Sequence, residues 1–152
     1  MTNTNEMTEN GYLISTDKAR LDIPMIHQYL SKVSYWAKNI PFEVVEKSIM
    51  HSFCFGVYLQ NIQVGLARLV TDKATFAYLC DVFILEEHQG KGLSKWLMTT
   101  IHTHPDMQDL RRWLLGTKDA HGLYAQFGWV PLPEEMLHRF MQIHNPNLYE
   151  NH

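Results

Sequence analysis

The stretch Val82-Phe83-Ile84-Leu85-Glu86-Glu87-His88-Gln89-Gly90-Lys91-Gly92-Leu93-Ser94-Lys95-Trp96-Leu97 passes from an apolar run, through a charged turn with two glycines, into a segment whose Leu93, Trp96, Leu97 and Ile101 recur at helical spacing. It predicts a buried strand, a tight turn and a helix. The start of such a helix favours anions, because its first amides lack partners inside the helix and the helix dipole places partial positive charge there. Gly90 and Gly92 remove Cβ atoms that would hold a phosphate away from the backbone. Phosphate or pyrophosphate is the ligand chemistry this pattern predicts; the bland alternative is an ordinary tight turn into a helix.

Spacing separates the phosphate loops that share these features. A Walker loop requires four residues between its first glycine and Gly-Lys-Ser/Thr, which this chain does not supply, so a nucleotide-hydrolysing enzyme is remote. A dinucleotide fingerprint requires a third glycine where Lys95 stands. The pattern Gln/Arg-x-x-Gly-x-Gly/Ala, an acyl-CoA loop, is met at Gln89 and Gly92 and departs only at Ser94, which is small but neither Gly nor Ala.

Outward from this stretch, the 152 residues suit one domain with a sizeable core, and 45% hydrophobic against 19% charged residues marks a globular chain. A formal charge of -3 and a pI near 6.3 provide no basic field for nucleic acid or an anionic membrane. No apolar run approaches the roughly 20 residues of a membrane span. The polar start, with no basic segment followed by an apolar one, predicts a cytoplasmic chain. Cys54 and Cys80 lie in apolar segments without CxxC spacing, so buried reduced thiols are expected in place of a disulfide or metal site. The nine histidines form no metal-ligand set, and no metal is expected.

Residues 1–10 read as a disordered lead and 11–152 as a single domain. Strands are expected at 12–15, 53–59, 62–71, 75–85 and 112–116, with short turns at Gln60-Asn61 and Asp72-Lys73 that make the middle three an antiparallel meander. Asp22 suits the cap of a helix bearing Ile23, Ile26, Tyr29 and Leu30, and a second helix is expected over 42–51. The helix from Leu93 ends before Pro105, and its place between two strands predicts a parallel crossover. Asp119 suits the cap of a short helix over 120–126, closed by Gly128. Trp129-Val130 and 137–143 are read as the last strands. The expected order is β-α-α-β-β-β-α-β-α-β-β, an α/β (α+β) domain with a mixed, mainly antiparallel central sheet flanked by helices.

The segment Ala120-His121-Gly122-Leu123-Tyr124-Ala125-Gln126-Phe127-Gly128-Trp129 is similar to Ala-x-x-Leu-Tyr-x-x-Phe-Gly-Phe, with Trp129 in the last aromatic place. Together with the loop at Gln89 to Ser94 and the element order, it resembles the GNAT superfamily of N-acetyltransferases, over nearly the whole chain after Asn10. The segments 76–83 and 114–121 resemble a subgroup of small bacterial members whose substrates are mostly unassigned.

That resemblance implies one N-acetyltransferase domain, acetyl-CoA as acyl donor and an amine acceptor, with a possible homodimer. It places the pyrophosphate on the amides of Gln89, Gly90, Lys91, Gly92, Leu93 and Ser94, and the pantetheine arm against the backbone of Val82, Phe83 and Ile84. Lys91 is equally read as a solvated lysine. Thr117 stands where many relatives carry a cofactor-contacting asparagine. Tyr124 matches the tyrosine that serves as general acid to the departing CoA thiolate, which a neutral phenol of pKa about 10 can do; the alternative is a packing tyrosine beside Leu123 and Phe127.

Asp81 is an acid inside an apolar strand, and two readings of it stay open. Burial would raise its pKa and suit a base; an ion pair with Arg68 on the neighbouring strand would make it structural. Simple alternation puts Asp81 on the face of Leu79 and Phe83, opposite Tyr78, unless a bulge intervenes. Tyr35, Trp36, Arg68 and Tyr78 are the expected lining of an acceptor pocket, with core packing as the alternative for the aromatics. The rival to an enzyme is a non-catalytic acyl-CoA sensor or binding module of the same fold.

Overall fold

The computed structural model describes residues 6–150. Six strands form one sheet in sequential order: β1 (Glu6–Glu9), β2 (Tyr12–Ser15), β3 (Phe53–Leu59), β4 (Ile62–Thr71), β5 (Phe76–Ile84) and β6 (Arg112–Leu115). Every neighbouring pair is antiparallel except β5 and β6, which run parallel. The crossover between those two carries α3 (Leu93–Thr103), as expected for a strand-helix-strand unit. Two shorter helices, α1 (Ile23–Gln28) and α2 (Phe42–Met50), lie between β2 and β3, while α4 (His121–Ala125) and α5 (Glu134–Leu137) follow β6.

The sheet is buried on both faces. One face packs Ile14, Phe55, Leu69 and Leu79 against Leu97, Met98 and Ile101 of α3, with Tyr124 of α4 in the same cluster. The other sets Cys54, Leu66 and Phe83 against Ile26 and Leu30, and against Val45 and Ile49 of α2. Asp22 caps α1 by accepting the Met25 amide at 3.1 Å, and Pro24 sits in the first turn where its missing N–H costs no helix bond. Beyond α1 the helix widens into a π-wound turn, Tyr29–Val33, and Ser34 Oγ then donates to Leu30 O at 2.6 Å.

Three expectations are corrected. The lead expected to be disordered over 1–10 contains β1, and its first five residues lie outside the described range. The cause is Asn10-Gly11: both residues have positive φ (52° and 84°), the two-residue turn that matches strand twist, so residues 6–15 close into a hairpin. The strands expected at Trp129-Val130 and at 137–143 are not formed. Pro131 and Pro133 remove donors from the first, and the second loses its start to α5, whose first turn carries Glu134 and Glu135. Phe140 lies under the Arg112 guanidinium, 4.9 Å from its ring centroid, without entering the sheet. Asp119 does not cap α4: Ala120 occupies the cap position, and its amide is taken by Thr117 Oγ1 at 3.0 Å.

An aromatic cluster fastens α3, β6 and the end of α4 together. His102 lies against Trp113 and Phe127, with centroids 4.6 Å and 5.9 Å away, and Trp129 Nε1 donates to His102 Nε2 at 3.0 Å. An indole N–H only donates, so Nε2 must be unprotonated, and burial accordingly lowers the His102 pKa. A depressed folded pKa stabilises the fold fully above the ordinary value of about 6.5, and that contribution is lost as pH falls through the folded value. His102→Gln keeps an acceptor and does not titrate. Between pH 7 and 5 the wild-type thermal midpoint is expected to fall further than that of His102→Gln, as followed by circular dichroism; parallel curves would contradict this account.

Candidate active site

Strand β5 makes the site by leaving its partner. It pairs with β6 from Phe76↔Arg112 to Leu79↔Leu115 and no further, although β5 itself continues to Ile84 on β4. Cys80 to Ile84 therefore have no strand on their outer edge, and beyond Leu115 the chain turns away through Gly116 and Thr117. The divergence leaves a cleft of about 400 Å³ between Cys80–Val82 on one side and Gly116–Asp119 on the other.

A bulge shapes the β5 wall. Across β4, Leu66 faces Phe83 but Arg68 faces Cys80, so β5 uses one residue more than β4 over this interval. Asp81 carries the irregularity in a left-handed conformation, φ 51°. The extra residue inverts the alternation: Leu79 packs toward α3, whereas Phe83 packs toward α1 and stacks on Tyr29 with centroids 3.9 Å apart. The expectation that Asp81, Leu79 and Phe83 share one face is thereby corrected.

The Asp81 carboxylate is engaged at both oxygens. Arg68 Nε donates to Oδ2 at 2.8 Å, and Trp36 Nε1 donates to Oδ1 at 2.8 Å. The pair is largely buried, the side chains being 17% and 10% exposed for Arg68 and Asp81. Arg68 also donates through Nη1 to the buried Ser52 Oγ at 2.9 Å. Its guanidinium pKa is raised by the Asp81 charge and hydrogen bond against the opposing effect of burial. Arg68 thus stands behind the cleft wall and does not line the cleft with Tyr35, Trp36 and Tyr78.

Tyr124 and Thr117 close the opposite side. The Tyr124 phenol is buried, and desolvation, helped by Tyr35 and Asp119, raises its pKa above the ordinary value, so it stays protonated well into alkaline solution. Tyr35 ties the two walls together: its hydroxyl accepts the Lys118 amide at 3.1 Å, and Lys118 Nζ lies 5.4 Å from its ring centroid. Lys118 and the cleft position of Asp119 were not legible in the sequence, because the contact with Tyr35 spans 83 residues and follows no local spacing.

From the cleft, the open β5 edge leads to the glycine loop. Leu85 N donates to Val64 O at 2.8 Å, and Gln89 Nε2 donates to Ile84 O at 2.9 Å, which folds the loop back on its own strand. Gly90 and Gly92 both adopt left-handed φ (79° and 78°), a conformation costing other residues about 1–2 kcal/mol, and Gly92 sits at the cap position of α3. Here a second groove of about 330 Å³ is bounded by Ile84, Gln89, the two glycines, Ser94 and Leu123. Lys91 lies off this groove, beside a hollow shared with Glu9 and Tyr12. No group of three or more potential metal-ligating side chains occurs among the described residues.

Residues 51–131 match the acetyltransferase (GNAT) domain model. The chain belongs to the GNAT acetyltransferase family. A protein of Gibberella zeae assigned as an acetyltransferase is 34% identical, with 78% of each chain covered. A GNAT-assigned protein of Xanthomonas campestris pv. campestris is 48% identical, and its crystal structure superposes with a TM-score of 0.88 over 92% of this chain and 97% of its own. A GNAT acetyltransferase of Elizabethkingia anophelis, solved with acetyl-CoA bound, shares the fold at 15% identity and a TM-score of 0.58, covering 78% of this chain and 76% of its own. The sheet, helices and crossover agree with the expected class.

The two thiols lie near this site, and burial holds them protonated: Cys54 is pushed up to about 11 and Cys80 to about 12, with Arg68 opposing in both cases. Native protein at pH 8 is expected to give no rapid reaction with Ellman's reagent, and denatured protein two thiols. Rapid native modification of Cys80, which borders the cleft, would show that its environment is more open than described.

Proposed function

We propose that the chain transfers the acetyl group of acetyl-CoA to a primary amine, preferably on a small molecule, by direct attack in a ternary complex. The observation that carries this reading is the unpaired edge of β5, Cys80 to Ile84, which runs from a glycine-lined helix start to a buried, protonated tyrosine. Such an edge offers backbone groups that an amide-bearing arm can pair with as a strand would. The occupied Elizabethkingia structure supports the choice of donor.

The residues then take the following roles. The amides from Gln89 to Ser94 hold the pyrophosphate at the start of α3, where partial positive charge and two Cβ-free positions favour it. Val82, Phe83 and Ile84 present their backbone to the pantetheine arm and polarise the thioester carbonyl; Thr117 borders the same passage from the other wall. Tyr35, Trp36 and Tyr78 receive the acceptor. The amine nitrogen forms the new C–N bond as the C–S bond breaks, and Tyr124 gives its proton to the departing thiolate.

The amine must also lose a proton. Asp81 was one candidate for this base, but both of its carboxylate oxygens already accept hydrogen bonds, Oδ2 from the Arg68 guanidinium and Oδ1 from the Trp36 indole N–H, so neither is placed to take the proton of an incoming amine. We therefore assign deprotonation to water, from an amine whose own pKa is lowered on entering an aromatic-walled cleft.

The test couples binding to turnover. Acetyl-CoA affinity is measured by calorimetry and thiol release is followed over a panel of amines, with wild type, Tyr124→Phe and Gly92→Val compared. Tyr124→Phe is expected to lower kcat by about a hundredfold or more with acetyl-CoA affinity retained. Gly92→Val is expected to weaken acetyl-CoA binding, through left-handed strain and the obstructing side chain. In wild type, kcat/KM for the amine should rise with pH as the neutral amine becomes available, without an early decline from Tyr124. Binding without amine-dependent release would identify a binding module, and absence of binding would refute the assignment of donor.

A further inference from the structure

The chain places a charged residue in a left-handed conformation in the cleft wall and holds its carboxylate from two directions. Asp81 sits in the β5 bulge at φ 51°. Arg68, one strand away on β4, takes Oδ2; Trp36, on the connection between α1 and α2, takes Oδ1; Ser52, just before β3, steadies the far side of the guanidinium. Two segments outside β5 thus meet the Asp81 carboxylate directly, and a third supports one of them through Arg68.

Trp36 is the exposed member of this set. Trp36 is 41% exposed, lines the cleft and stands edge-on to Tyr35, whose hydroxyl accepts the Lys118 amide on the opposite wall. The acceptor side of the cleft and the donor side of β5 are therefore joined through a carboxylate. An ordinary bulge needs no such anchoring. Asp tolerates left-handed backbone better than most residues, and the ring of donors around its carboxylate makes that conformation the one in which Arg68 is neutralised.

Resting on the function proposed above, we propose that Asp81 is a positioning residue: clamped between Arg68 and Trp36, it holds the β5 bulge so that the backbone amides following it point at the thioester carbonyl, and it sets Trp36 as the wall for the acceptor. Asp81 moves no proton in this account. Removing its carboxylate frees the bulge to relax toward regular strand, and the carbonyl loses its aligned donors while the pyrophosphate loop, built on other residues, keeps its grip.

The test uses full-length protein with acetyl-CoA carrying ¹³C at the acetyl carbonyl, and reads the carbonyl stretch of the bound thioester by difference infrared spectroscopy beside steady-state kinetics. Wild type is expected to shift the stretch to lower frequency. Asp81→Ala should abolish that shift and lower kcat on the order of a hundredfold, with acetyl-CoA affinity changed by only a few-fold. Asp81→Asn, which keeps the left-handed preference but can accept from only one of Arg68 and Trp36, should retain more of the shift and of kcat than Asp81→Ala, with an unchanged pH profile. Trp36→Phe, at the exposed end of the clamp, should weaken the shift and raise KM for the amine, and it keeps the test available if Asp81→Ala does not fold. An unshifted stretch in bound wild type, or a normal shift in Trp36→Phe and in any folded Asp81→Ala, overturns the clamp. Equal loss of turnover in Asp81→Asn and Asp81→Ala with the shift intact in both overturns it in favour of a base. A shifted stretch that depends on Asp81 without turnover of any amine upholds the clamp and refutes only the reaction proposed above.

Discussion

The constraint on which this structure depends is that β5 and β6 are parallel partners for four residues and then separate. Backbone N–H and C=O groups that leave a sheet must be satisfied by water, by other protein groups or by a ligand. The fold places this cost at Cys80 to Ile84, where β5 stays on β4 but has no strand on its other edge. Burial on both faces makes the separation stable: α3 and Tyr124 support one side, and α1 and α2 support the other.

Two features decide where the opening points. Gly65 opposes Ile84 at a position where a Cβ would lie 2.7 Å from Ile84 Cδ1 and 3.0 Å from Phe83 O, so β4 approaches the end of β5 more closely than an alanine would allow. The bulge at Asp81 then reverses which side chains face each helix layer, letting Phe83 stack on Tyr29 while Leu79 remains with α3. The glycine supplies closeness and the aspartate supplies direction.

Much of this was legible in the residues. Leu93, Leu97 and Ile101 repeat at helical spacing and are buried in α3, and Gln89 to Gly92 sit in the turn that precedes it. Tyr35, Trp36, Tyr78 and Tyr124, singled out separately, meet at one cleft. The Arg68–Asp81 pair was among the expected alternatives and is formed. What escaped was set by contacts rather than spacing. Period-two alternation has no term for an added residue, so the face of Phe83 came out reversed. The run 137–143 has strand-like composition, but a strand exists only with a partner, and Pro133 with the two glutamates commits its start to a helix turn. Asn10-Gly11 was a local signal strong enough to reveal β1, and it lay inside a polar segment read as a lead.

The same distinction separates what the family supplies from what this chain adds. A parted pair of strands and a helix start built on glycine can serve any donor of the right shape, and neither selects an acceptor. Under the proposed function, selection falls to side chains at the mouth, which are aromatic rings in contact with one another and hydrogen-bonded, through Asp81, to β5. If the proposed clamp holds, a substitution at Trp36 that changes the pocket also removes a hydrogen bond to the bulge residue Asp81, which couples acceptor choice to acetyl activation. On the same reading, Tyr78, which borders the cleft and is not joined to Asp81 by these hydrogen bonds, is the position at which specificity can change without the same penalty.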